Sequence, residues 1–243
     1  MALAGVTLIF MICNAHDLGT LAYQPAWDLQ NLLAAEIARG DRPASLLLLE
    51  HPHTYTFGRR GRPQNLVWDE KELAKHGLSV YWVDRGGDVT YHGPGQLVGY
   101  PLIKLDGMDH VGYVRNLEKM IITALARLGL ACGQLSGKTG VWVQADVASR
   151  CPRCSPEDRQ KPAKIAAIGV KVDANGITRH GFALNVDPQM SYFDGIVPCG
   201  IADFPVIALA DIFPITPAMD QVKREILRAF GETFKFEIVE KTI

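Results

Sequence analysis

A mixed α/β fold is predicted by three features of this chain. Strand-like and helix-like segments are interleaved without the strict alternation of a doubly wound fold. A hairpin signal, "DANG" from Asp173 to Gly176, lies between two strand-like runs. No repeat, low-complexity tract or Pro/Ser linker divides the chain, and 243 residues fit one large domain, so residues 1–243 are read as one unit.

The elements follow from local pattern. The apolar run from Gly5 to Cys13 is too short to span a bilayer, lacks a signal peptide's flanks, and reads as a buried strand ending in a loop. Trp27, Leu29, Leu32, Leu33 and Ile37 recur at helical spacing and stop at Gly40. "SLLLLEHP" from Ser45 is a central strand halted by His51-Pro52. "HTYTFGRRG" alternates like another strand. A short helix, "DEKELAKHG", closes at Gly77, and "LSVYWVDRGG" is a strand. Tyr113 to Leu130 is the longest amphipathic helix. "TGVWVQA" and "KIAAIGVKVDANGITRHGFALNV" read as strands and turns. A last helix, "AMDQVKREILRAFGETF", precedes the strand "KFEIVE". Asp146 to Lys164 is polar, basic and proline-punctuated, and is expected to be a surface loop.

Composition narrows the function. About half the residues are apolar (48%), enough for a substantial core. A net charge of −1 argues against nucleic-acid binding, which needs a basic excess. No membrane-spanning segment is read. Five cysteines without framework spacing suit a reducing, cytoplasmic setting.

The stretch "DRGGDVTYHGPGQLVGYP" (Asp84 to Pro101) sets Arg85 and His92 among five glycines. Such a stretch lets backbone approach a ligand closely, though tight turns between strands would look similar. It is neither a P-loop nor GxGxxG. Among the cysteines, Cys13 and Cys132 read as packed. Cys151 and Cys154 form one CxxC without the second pair a zinc site needs. Cys199 sits in a Pro-Cys-Gly turn, where an attacking thiol and an incidental loop thiol are equally good readings. Its activator would be His92, His180 or Lys164. Lys164 opens an apolar strand, although most lysines in such places are simply solvated.

"RGGDVTYHGPGQLVGYP" resembles the signature of the lipoyl/octanoyl transferase family, also called lipoate-protein ligase B, and "LLLLEHPHTYTFGRRG", "KIAAIGVKV", "HGFALNV" and "GIVPCGI" resemble further segments of that family in the same order. The likeness runs from about Leu18 to Asp211. The CPRC loop departs from the family pattern as a local insertion. The resemblance implies the mixed α/β catalytic module shared with biotin and lipoate protein ligases. It implies octanoyl transfer from acyl carrier protein to a lysine of lipoyl domains, through a cysteine thioester. The acceptors would be the E2 subunits of 2-oxoacid dehydrogenases and the glycine cleavage H protein. Cys199 would be the nucleophile and Lys164 the residue that lowers its pKa. Arg85, Gly86, Gly87, Asp88, Val89, Thr90, Tyr91 and His92 would line the substrate site with Ala167, Ile168, Gly169, Gly181, Phe182 and Ala183. No metal or other cofactor is implied. The basic runs Gly58 to Arg62 and Arg150 to Lys164 are expected to dock acidic carrier domains.

Overall fold

The computed structural model describes residues 11–105, 107, 109–198 and 203–242. Most of the apolar run from Gly5 therefore lies outside the described residues, as do Cys199 and Gly200.

An eight-stranded mixed sheet forms the centre, in the order β11-β1-β2-β6-β10-β9-β8-β7. Its strands are β1 (Met11–Thr20), β2 (Ala44–Glu50), β6 (Gln96–Leu102), β7 (Gly133–Leu135), β8 (Lys138–Val143), β9 (Ala163–Val172), β10 (Thr178–Asn185) and β11 (Phe236–Glu240). Here β1 runs parallel to β2 and β11, while β2, β6, β10 and β9 pair antiparallel. The Asp173–Gly176 turn joins β9 to β10, as its sequence predicts. Gly176 takes φ +78°, which the glycine provides without strain.

Strand alternation explains why β2 needs four leucines in a row. Leu46 and Leu48 join the core beneath the helices α3 (His110–Arg127) and α5 (Met219–Phe234). Leu47 and Leu49 face the opposite way, against Ala26, Leu33 and Ile37 of α1 (Tyr23–Arg39). Burying each such leucine stabilises the fold by about 1.5–3 kcal/mol. The mixed α/β expectation holds, with one sheet sandwiched between α1 and the α3/α5 pair.

A smaller sheet of three strands, in the order β4-β3-β5, stands beside it. It contains β3 (Thr54–Phe57), β4 (Ser79–Trp82) and β5 (Val89–His92), with α2 (Glu70–Lys75) linking β3 to β4. The glycine-rich motif therefore crosses between sheets: β5 belongs to the small one and β6 to the large one. Gly95 makes the crossing, with φ +84° and an amide bonded to the Glu50 carboxylate at 2.6 Å. A side chain there would strike the Asp187 carbonyl. At Gly99, a Cβ would enter the Phe182 ring. These two glycines serve strand packing rather than a ligand.

Three expectations need correction. β1 continues through Asn14–Thr20, expected as a loop, because β2 pairs with it as far as Thr20. The segment expected as a surface loop begins with the short helix α4 (Ala145–Ala148), whose Val147 and Ala148 are buried in the main core. Cys151 is buried there too, and is disulfide-bonded to Cys154 rather than reduced.

Candidate functional site

β9 and β10 form the floor of a narrow slot, and the residues between the two sheets form its roof. Ala167, Ile168, Gly169, Gly181, Phe182 and Ala183 come from the floor. Arg85, Gly87, Asp88, Thr90 and His92 come from the glycine-rich motif. The register sets the floor in rungs: Ala183 opposite Ala167, Phe182 opposite Ile168, Gly181 opposite Gly169, then His180 opposite Val170. The structure thus gathers most of the predicted binding residues. Gly86 lies on an adjoining groove. Val89 and Tyr91 point the other way, into the small-sheet core with Tyr55, Phe57 and Tyr192. Period-2 alternation along β5 makes that division unavoidable.

Three roof side chains, Arg85, Asp88 and His92, are held by hydrogen bonds. The Arg85 guanidinium, 7% exposed, donates to the Thr56 carbonyl and hydroxyl and to the Gly86 carbonyl. Asp88 accepts from the backbone amides of Arg62 and Val89 and from Asn65, which ties the Arg60–Arg62 loop to the motif. His92 bonds Gln96 Oε1 through Nδ1 at 2.8 Å, so Nδ1 carries the proton and Nε2 accepts from Thr56 at 3.3 Å. Burial, with the nearby His51 and Arg85, holds the His92 pKa well below its usual range. Gln96 continues to Asn185 at 2.9 Å, and Asn185 to the Ile207 carbonyl at 3.0 Å.

Lys164 lies toward the opposite end. It is 7% exposed, and its Nζ sits 4.8 Å from the centroid of the Trp142 ring. A cation over an indole face is favourably placed. Its backbone is gripped on both sides by the segment after Cys199: Lys164 N donates to Pro205 O at 2.9 Å, and Ile207 N to Lys164 O at 3.0 Å. Glu118, a fully buried carboxylate on α3, accepts from the Gly140 amide at 3.0 Å and so fixes the start of β8 near the lysine. A small cavity lined by Lys164, Gln96, Asn185, Phe193, Pro198 and Val206 meets the slot at Thr90, Ala167 and Ala183. Pro198, the residue before Cys199, thus shares a cavity with Lys164. Outside lies a wider groove of about 560 Å³ with Arg60, Arg62, Lys138 and Lys164 in its walls.

The remaining cysteines are poorly suited to attack. Burial pushes the Cys13 and Cys132 thiols up to about 12. Cys151 and Cys154 are bonded to one another. Much of the basic run around them is engaged locally: Arg153 with Asp211 and the Val206 carbonyl, Lys161 with Glu157 and Asp158. Arg60 and Arg62, by contrast, are exposed at the groove. Among the described residues, no group of three or more His, Cys, Asp or Glu side chains is arranged to hold a metal ion.

Sequence reading missed two residues of the slot, Tyr23 and Tyr100. Tyr100 is in the quoted motif but passes for an ordinary strand residue. Tyr23 opens α1, far away in sequence, and carries no local signal.

A thin apolar channel with a cation at one end and a wide basic groove outside suits an acyl chain whose carbonyl stays near Lys164. Known proteins agree with that architecture. The family model of the lipoyl protein ligase A/B catalytic domain matches residues 22–231. An octanoyltransferase of Chloroflexus aurantiacus is 48% identical over 226 residues, covering 92% of this chain and 95% of its own. One from Salinispora tropica is 46% identical, covering 79% and 82%. Among solved structures, a bi-partite lipoate protein ligase from Thermoplasma acidophilum superposes with a TM-score of 0.70 at 19% identity, covering 96% of this chain and 88% of its own. Lipoate-protein ligase A bound with ATP gives 0.68 at 18% identity, covering 97% and 90%. The chain belongs to the lipoyl protein ligase A/B catalytic domain family, and its 43–48% identical relatives in that family are octanoyltransferases.

Proposed function

We propose that this protein transfers an octanoyl group from the thioester of acyl carrier protein to a lysine of a lipoyl domain, with Cys199 as the acyl carrier between them. The observation that carries this reading is the state of the cysteines and the place of Lys164. Of five cysteines, Cys13 is a buried thiol, Cys132 a half-buried thiol whose pKa burial raises, and two are bonded together, which leaves Cys199. Its chain neighbour Pro198 shares a cavity with the buried cation of Lys164.

The chemistry follows. The Cys199 thiolate, favoured by the lysine's charge, attacks the donor carbonyl. The tetrahedral intermediate expels the carrier's thiolate, which takes a proton from Lys164 and departs as a thiol. The octanoyl group is then a thioester on Cys199, its chain in the slot and shielded from water. The acceptor's lysine amine attacks that thioester and loses a proton to Lys164. An amide forms, and Cys199 is released. The donor is already activated, so neither nucleotide nor magnesium is required. The basic groove suits the carrier's phosphate-bearing arm and acidic surface. Lipoyl domains of E2 subunits and the glycine cleavage H protein would be the acceptors.

The neighbour with ATP favours a second reading, in which the wide groove holds a nucleotide and a free acid is adenylated. One assay separates the two. Transfer from octanoyl-carrier protein should run fully in EDTA without nucleotide, and Cys199→Ser should abolish or greatly slow it. Strict ATP dependence, or normal turnover by Cys199→Ser, would overturn the proposal.

A further inference from the structure

The reading above places the carbonyl end of the chain near Lys164, and leaves the other end of the slot unassigned. Along β10, the slot runs from Ala183 past Gly181 to His180. Three residues of strand span about 10 Å, a length comparable to an extended octanoyl chain. The floor is apolar at Ala167, Ile168, Phe182 and Ala183, beneath a roof that carries Arg85, Asp88, Thr90 and His92, and the slot ends at Tyr23, Tyr100 and His180, whose rings carry polar atoms.

Those rings are fixed to one another. His180 is 1% exposed and adopts φ +57°, an uncommon backbone for a non-glycine residue. Its amide donates to Gln30 Oε1 at 2.8 Å. Its Nε2–H donates to Asp84 Oδ1 at 2.8 Å, and Asp84 is also gripped by Lys171 and Arg179. That tautomer leaves Nδ1 to accept from the Tyr23 hydroxyl at 3.5 Å. Tyr23 stacks on Tyr81, with centroids 5.1 Å apart. The Tyr100 hydroxyl donates to His51 Nε2 at 2.7 Å, because His51 Nδ1 is committed to the Leu21 carbonyl at 2.6 Å.

We propose that His180, braced by Asp84 and joined by Tyr23 and Tyr100, is the end wall of the acyl slot and sets the length of chain the enzyme transfers. The proposal rests on the reading that the slot holds the acyl chain. An all-apolar end would yield to a longer chain by rotamer changes. This wall resists, because moving any ring breaks a buried hydrogen bond and leaves its partner unsatisfied. A terminal methyl meets a surface whose polar atoms are occupied with each other. Additional methylenes have to displace Tyr23 or His180.

The test is the rate of transfer from carrier thioesters with chains of six, eight, ten and twelve carbons. His180→Gly removes the imidazole and tolerates the positive φ. Tyr23→Ala opens the same wall from α1. Tyr23→Phe keeps the ring but removes its hydrogen bond to His180 Nδ1. Both opening variants should raise the twelve-to-eight-carbon ratio of kcat/KM at least ten-fold, and Tyr23→Phe should raise it by less than either of them. If only one opening variant folds, its ratio decides. An unchanged ratio in enzyme that still transfers octanoyl overturns the end wall alone. A wild type that transfers no chain of any length overturns the underlying reading as well.

Discussion

The two ends of the slot are built by opposite means. At the blind end, side chains from five elements and loops bond to one another: Tyr23, His51, Asp84, Tyr100 and His180. At the mouth, Lys164 is held by main-chain pairing to residues 205–207 and by one ring, that of Trp142. A side-chain lattice fixes shape and leaves little freedom. Main-chain anchoring fixes where the Lys164 backbone lies in the fold. In the proposed reading specificity belongs to the blind end and proton and charge transfer to the mouth, and each proposal can be broken separately.

The largest effect is expected at the mouth. Lys164→Ala should lower kcat about 10²–10⁴-fold, the range for loss of a positioned acid–base group. Lys164→Arg keeps the charge but should restore little, since arginine does not give up its proton. With the other four cysteines replaced, the pH at which Cys199 becomes reactive to iodoacetamide should lie below the free-thiol range in wild type and rise in Lys164→Ala. Coincident curves would remove Lys164 as the activator.

Next comes the hub of the blind end. The His180 hydrogen bond, followed by those of Lys171 and Arg179, holds the Asp84 carboxyl well below its usual range. Asp84→Ala leaves the buried His180 Nε2–H without its acceptor, and should cost about 1–3 kcal/mol in urea denaturation. The chain-length profile should broaden with it. A stability loss with an intact profile would confine Asp84 to a structural role.

A smaller effect should appear with pH. Burial lowers the pKa of His51, His92 and His180 in the folded state from the ordinary 6.5. The unfolded chain then takes up protons that the folded chain refuses. Their contribution to stability is full above pH 6.5 and is lost as pH falls through that value toward the folded pKa values. The urea midpoint should therefore drop between pH 7.5 and 5, and drop less in His92→Gln. Equal slopes in the two proteins would contradict the assignment.

The smallest effect belongs to Arg153. It braces Asp211 and the Val206 carbonyl in the segment that grips Lys164, but its side chain is 39% exposed. Arg153→Ala should cost at most about 1 kcal/mol of stability and only a few-fold in activity.

Much of this arrangement was readable from pattern. Helical spacing located α1, α3 and α5, and the Asp173–Gly176 turn paired β9 with β10. α3 begins at His110, three residues before its expected start, because Asp109 caps it by accepting from the Gly112 amide. What local pattern does not contain is partnership across the chain. Asn14–Thr20 is polar, yet becomes strand because β2 lies beside it. The glycine-rich motif reads as one unit, yet β5 and β6 go to different sheets. Tyr23 and His180 are separated by 157 residues and meet only in the fold. Motif likeness found the middle of the slot because those residues cluster in sequence. Tyr100 and His180 also stand in the quoted motifs, but their meeting with Tyr23 as one wall is set only by the fold.

The central claim is that Cys199 carries the acyl group, and intact-protein mass spectrometry tests it most directly. Wild type mixed with octanoyl-carrier protein, without acceptor and quenched in acid, should gain one octanoyl mass. Peptide mapping should place that mass on Cys199, and a lipoyl domain added before the quench should discharge it. No adduct in a preparation that turns over normally, or an adduct that persists after the lipoyl domain is added, would contradict the account.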